Sequence, residues 1–174
     1  MNEDTIRINE FLNRMRPQSV SYRDLIGQSD NSTTTPTGQI GEYKSSSVLV
    51  GSAISLTTNT TTNITSISLS AGDWDVYGIG IFAGDVLTTV DQLQASITET
   101  SATLDTAPGR IGAVIGAGAT LFNFGGAAFV NIGVVRKILS ATTTIYLVEK
   151  PTFAVSTCTG YGIIQARRAR HYPG

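Results

Sequence analysis

The sequence holds one cysteine, one histidine and one tryptophan, and only 14% of its residues are charged. A single cysteine, Cys158, excludes an intrachain disulfide, and its neighbours Ala154, Val155, Thr157 and Tyr161 mark it as a small buried strand residue. The single histidine, His171, lies three residues from the end of the sequence, which leaves Ser-His-Asp and Cys-His catalysis without a base in the body of the chain. No clustered Asp pattern accompanies the lone Cys and His, so no metal site is expected. Gly116-Ala-Gly118 lacks the third glycine of a dinucleotide fingerprint and opens no predicted helix, so no cofactor is expected either. The start, MNEDTIRINE, has no apolar run and predicts no secretory signal.

Charge is scarce but unevenly placed. Between Ser45 and Gly109 stand six acids (Asp73, Asp75, Asp85, Asp91, Glu99, Asp105) and no Lys or Arg. From Arg110 onward stand seven bases (Arg110, Arg136, Lys137, Lys150, Arg167, Arg168, Arg170) against one acid, Glu149. The formal net charge of −1 lacks the basic excess of a nucleic-acid-binding face, so the two halves are expected to neutralise each other within one sandwich or across a subunit contact. In the Arg167-Arg168 pair, strand alternation puts one guanidinium on each sheet face, one meeting solvent and one pairing with an acid of the 73–105 segment.

What the chain has in abundance is Thr, Ser and Gly, together a third of its residues, with 41% apolar content. Thr favours strands and Gly favours turns, a balance that fits an all-β sandwich with tight connections. Nine strand candidates follow from the alternation and its punctuation: 39–44, 48–56, 63–69, 74–82, 93–98, 120–124, 128–139, 143–148 and 161–170. Residues 3–16 place Ile8, Phe11, Leu12 and Met15 on one face at helical spacing, with acids in the first turn, Arg14 and Arg16 in the last, and Pro17 as a stop. Residues 27–38 read as a linker. The division is therefore an N-terminal anchoring helix and linker over 1–38 and a β-sandwich domain over 39–174.

Two segments invite sharper readings. Asp73 and Asp75 flank Trp74 on one side of a strand, superficially a carboxylate pair for sugar chemistry; a turn Asp, a strand Asp and a core Trp explain the triplet better. Residues 111–135 carry no charge and include Gly112 and Gly116 at small-xxx-small spacing, long enough to span a bilayer. Their glycines, Thr120, Asn123, Asn131 and the Asn-Phe-Gly-Gly turn at 123–126 favour two buried strands joined by a turn, with no membrane insertion.

The motifs GDWDVYGIGIF (72–82), TTTIYLVEKPTF (142–153) and YGIIQARRAR (161–170), in that order, resemble the C-terminal domain of bacteriophage and prophage tail-fibre and other virion proteins, over about Gly38 to Arg170. The resemblance implies a jelly roll related in shape to the C1q and tumour-necrosis-factor domains, which assemble as trimers. It implies a virion structural protein, not an enzyme, made in the bacterial cytoplasm and displayed on the particle as a short tail fibre or a tail or collar component. The alternative is a capsid decoration. The expected partners are sister copies, other virion proteins through residues 1–38, and a host-surface glycan or protein. Ile8, Phe11, Leu12 and Met15 are the expected particle anchor. Trp74, Tyr77, Phe82, Phe122, Phe124, Phe129 and Tyr146 are the expected core and threefold-interface residues.

Overall fold

Alternating Thr, Ile, Val and aromatic residues broken by short Gly, Ser and Asp clusters build nine strands: β1 Tyr43–Val48, β2 Ile54–Leu56, β3 Thr62–Leu69, β4 Gly72–Gly84, β5 Thr89–Thr98, β6 Ile111–Ala119, β7 Ala127–Leu139, β8 Thr143–Ala154 and β9 Cys158–Arg170. The computed structural model describes residues 35, 37–119 and 126–170. The proposed helix at 3–16, its stripe Ile8, Phe11, Leu12 and Met15, most of the linker, the strand expected at 120–124 and His171 lie outside the described residues.

The strands form two antiparallel sheets. One runs β1-β9-β4-β7, with β2 also on β9, and the other runs β3-β8-β5-β6. From β3 onward the chain passes from sheet to sheet at nearly every connection, and only β5 and β6 pair as a hairpin. This is a jelly-roll β-sandwich. Several boundaries differ from the sequence reading: β4 begins at Gly72, where a turn was expected, β5 begins at Thr89 and not at 93, β8 runs on to Ala154 and not to 148, β9 begins at Cys158 and not at 161, and β6 occupies 111–119, which no candidate covered. The run expected as one strand over 48–56 is broken by a single 3-10 turn at Val50–Ser52, and the first strand starts at Tyr43 because residues 37–41 form turns. The uncharged 111–135 stretch holds β6 and the first part of β7, so Gly112 and Gly116 serve a strand; no described helix is long and apolar enough to cross a membrane. β6 is not buried as expected. It is an edge strand whose Ile115 is 75% exposed. Its glycines are needed for close approach: a Cβ at Gly112 would meet the Asn131 carbonyl of β7, and one at Gly116 the Val90 carbonyl of β5.

Between the sheets lie Trp74, Val76, Phe82, Leu93, Ile97, Ile145, Leu147 and Ile164, all fully buried, with Cys158 at their margin. In β4 and β9 the inward positions include Gly78, Gly80, Gly160 and Gly162, and the opposite sheet fills the space they leave. Leu147 and Ile97 lie over Gly78, and Ala95 over Gly80.

The acid-rich and base-rich halves do meet. Arg136 forks onto Asp73 (Nε to Oδ1, 2.8 Å), Lys137 binds Glu99 at 2.7 Å, and Arg110 binds Asp105 at 3.1 Å. Arg167 and Arg168 take opposite faces, but the partner of the buried Arg168 is Glu42, not an acid of the 73–105 segment (Nε to Oε2, 3.0 Å). Alternation fixes which face a side chain takes. It does not reveal that residues 37–42 fold across the end of the sandwich beside β9. Arg168 also donates to the Ala71 carbonyl at 2.8 Å and to Ser70 Oγ at 2.6 Å, and lies 4.3 Å over the Trp74 ring. Gly72, with φ at +143°, leaves room that a Cβ would take from the guanidinium.

Another buried ionisable group is Glu149 of β8, with no exposed surface. Its Oε1 accepts from Ile81 N–H at 3.0 Å, and its Oε2 has no partner among the described residues. The carboxyl fits only because Gly80 and Gly160 face it; a Cβ at either would collide with it. Burial raises its pKa to about 9, with only the Ile81 N–H opposing, so it carries its proton at neutral pH. Burial, and then the Glu149 charge, also push the Cys158 thiol up to about 12, which makes it an inert core residue.

Two predictions follow from these buried groups. Because the Glu149 pKa is higher in the folded chain than the 4.5 of the free group, its stabilising contribution is complete below pH 4.5 and is lost as pH rises towards 9, by up to ~1.4 kcal/mol per pH unit. Glu149→Gln keeps an acceptor for Ile81 and cannot ionise, so urea midpoints should match wild type near pH 4 and exceed it at pH 8.5; parallel profiles would contradict this. Arg168→Met leaves the buried Glu42 with only the Gly38 N–H at 2.7 Å and Lys44 at 3.6 Å, and should lower unfolding stability by about 3–5 kcal/mol. A loss below ~1 kcal/mol would mean that the pair is not holding this end of the sandwich.

Candidate functional site

An antiparallel sandwich ordinarily presents polar side chains on both outer faces. Here the two outer faces differ. On the β3-β8-β5-β6 sheet the outward positions are mainly Ser66, Ser68, Thr144, Gln92, Gln94 and Ser96, with half-buried Tyr146 among them. On the five-stranded sheet the central positions on β4 and β9 are apolar, flanked by exposed Ser45 and Ser47 of β1 and Asn131 of β7. Strand register places Tyr161, Ile81 and Phe129 side by side across β9, β4 and β7, with Ile163 and Ile79 in the next row and Tyr77 opposite Gln165 beyond it.

The apolar surface turns a corner at β7. A register irregularity between Val76 and Gly78 leaves Gly133 and Val134 both exposed. Val134 is 67%, Ile138 70% and Phe129 58% exposed, while Ile115 of the edge strand β6, 75% exposed, lies opposite Gln92 on the outer side of the other sheet. One end of the face is charged: Asp75 lies in register between Arg136 and Arg167. The Arg136 guanidinium is held charged more firmly than usual, first by its hydrogen bond to Asp73, then by the charges of Asp73 and Asp75. Asp73 is thus engaged by Arg136, with Asp75 in register beside two arginines, an arrangement that a structural ion-pair row explains better than a pair of carboxylates flanking a substrate.

The seven expected core and interface residues separate into groups. Trp74 and Phe82 are fully buried in the core, Tyr77 and Phe129 lie on the apolar outer face, and Tyr146 lies on the opposite, polar face. Phe122 and Phe124 are outside the described residues. Sequence reasoning missed Ile79, Ile81, Tyr161, Ile163, Val134 and Ile138. The signal was present in Gly-Ile-Gly-Ile (78–81) and Tyr-Gly-Ile (161–163), where alternation admits either face inward. The glycines point inward because Glu149, Leu147 and Ile97 need their space, which sends the isoleucines outward. Among the described residues no group of three or more His, Cys, Asp or Glu side chains could hold a metal ion.

No protein-family model matches the chain, and no curated protein matches its sequence. Among solved structures, the infectious bursal disease virus Gx strain is similar at 16% identity and a TM-score of 0.41, covering 79% of this chain and 33% of that one. The VP2 subviral particle of the same virus is similar at 14% identity and a TM-score of 0.40, again over 79% of this chain and 33% of that one. The chain thus spans about a third of the length of these structures.

Proposed function

We propose that this chain is a bacteriophage virion structural protein whose jelly roll assembles as a trimer and is displayed outward on a short tail fibre or a tail or collar component, in contact with the host surface. Residues 1–38 attach it to the particle. The observation that carries the assembly is the asymmetry of the two outer faces, one of Ser, Thr and Gln and the other centred on Ile, Tyr and Phe. A ring of copies closes when one surface meets a different one on the next copy, and the apolar face with its adjoining β6–β7 edge supplies two such surfaces. Exposed long edge strands otherwise invite uncontrolled pairing, so their coverage in a closed assembly also protects the chain. The virion setting rests on the ordered motifs GDWDVYG, TTTIYLVEKPTF and YGIIQARRAR. The reading as a contact module and not an enzyme is supported by an inert Cys158 and carboxylates engaged by guanidinium groups.

The alternative is a head decoration that stabilises the capsid. No particular residue of the sandwich favours it over the first reading.

Light scattering of the full-length protein should give the mass of a trimer. Ile81→Lys combined with Phe129→Lys should shift it to monomer, whereas Ser66→Lys on the polar face should leave it unchanged. A monomeric wild type would contradict the assembly. Purified protein should also rebind particles that lack it, and removal of residues 1–38 should abolish rebinding while leaving the trimer; retained rebinding would remove the anchoring role. Adsorption of the protein to host cells supports the fibre reading, and heat resistance conferred on particles without such adsorption supports decoration.

A further inference from the structure

The end of the sandwich where β5 runs into the 99–110 loop holds a cleft of 410 Å³ lined by Thr98, Glu99, Thr100, Thr103, Asp105 and Lys137, among others. The loop is tied down by its own bonds. Asn63 donates to Ser101 Oγ and accepts from Ala102 N–H, both at 2.7 Å, Asp105 N–H donates to Ser96 Oγ at 3.1 Å, and Thr98 Oγ1 accepts from Thr100 N–H at 3.1 Å. Ala102 is held at a φ of +50°, a left-handed conformation that non-glycine residues rarely adopt. The cleft wall is therefore preformed.

Its floor is a buried ammonium. Lys137 points inward from β7 beside Trp74, crosses the end of the sandwich and is only 4% exposed, yet its partner Glu99 is half-exposed. Lys137 has three N–H donors and, among the described residues, one acceptor, Glu99 Oε1. Glu99 Oε2 and the hydroxyls of Thr100 and Thr106 make no hydrogen bond among the described residues. Against the opposing effect of burial, the Ala107 N–H and then Arg110 together hold the Asp105 carboxyl below its usual range.

We propose that this cleft binds a neutral, hydroxyl-rich ligand of the saccharide class. Two carboxylates, Glu99 and Asp105, face two cations, Arg110 and Lys137, so the site favours neither an anion nor a cation. Apolar lining is confined to Leu104 and aliphatic stems. What it offers is acceptors beside donors at short spacing, with the Thr100 and Thr106 hydroxyls unengaged among the described residues, and vicinal hydroxyls match that pattern because each both donates and accepts. A cleft of this volume admits one or two sugar rings. The inference rests on the reading of the chain as a surface-contact module and names the ligand chemistry that such contact would use.

Amide chemical shifts of the full-length protein test it, with the methyl glycosides of glucose, galactose, mannose and N-acetylglucosamine and with inorganic phosphate and tetramethylammonium as ionic probes. At least one glycoside should move the amides of residues 98–106 saturably at millimolar concentration. Thr103→Trp, at an exposed position, should fill the cleft and abolish the response, and Glu99→Gln should weaken it about tenfold. No saturable shift with any glycoside, a response to the ionic probes alone, or a glycoside response unchanged by Thr103→Trp would overturn the assignment. Particle rebinding and trimer mass do not depend on this cleft, so such a failure would leave the proposed function standing.

Discussion

Everything at one end of this sandwich hangs on a single guanidinium. Arg168 reaches from the last strand to Glu42 in the segment before β1, to Ser70 and Ala71 at the corner where the chain crosses from one sheet to the other, and over Trp74 in β4. These elements are far apart in sequence, and backbone pairing alone does not fix the corner against the other sheet. A buried ion pair contributes little net stability, but once the geometry depends on it neither partner can be removed cheaply. With that end fixed, β9 lies between β1 and β4, and β4 in turn carries β7. The order of strands in the five-stranded sheet then decides which side chains share its outer face.

That outer face follows from an interior demand. Glu149 and Leu147 project from the second sheet and take up volume that the first sheet yields through Gly78, Gly80, Gly160 and Gly162. A strand that places glycines inward must place its large residues outward. Ile79, Ile81, Tyr161 and Ile163 are thereby displayed on a surface that a solitary sandwich would cover with polar groups. The proposed trimer is the consequence of this exchange, with the apolar content of β4 and β9 divided between a core shared with the second sheet and a surface shared with another copy.

Much of the fold was legible in the sequence, and the reasons are local. Val76 and Phe82 on alternate positions and the position of Trp74 define the body of β4, though the strand begins at Gly72, where a turn was expected, and the uncharged run from 111 to 135 does belong to strands, although β6 starts at Ile111 and not at residue 120. The opposite faces of Arg167 and Arg168 also followed from alternation. What was not legible depended on partners distant in sequence. Glu42 as the mate of Arg168, the glycine niche around Glu149 and the edge position of β6 are set by which strands become neighbours, and a period of two does not encode that. The same limit divided the aromatic residues: Trp74 and Phe82 went to the core, while Tyr77 and Phe129 went to the outer face. Alternation alone could not choose the inward side of the Gly-Ile-Gly-Ile run.

The central claim is that the outer face of the five-stranded sheet is covered in the working protein. Hydroxyl-radical footprinting of the full-length protein tests this most directly, because Phe129 is 58% exposed on a single chain. The account predicts that Phe129, Val134 and Tyr161 are protected from oxidation well beyond that exposure, while Val155 in the β8–β9 turn reacts freely. Oxidation of Phe129 and Val134 at rates matching their single-chain exposure would contradict it.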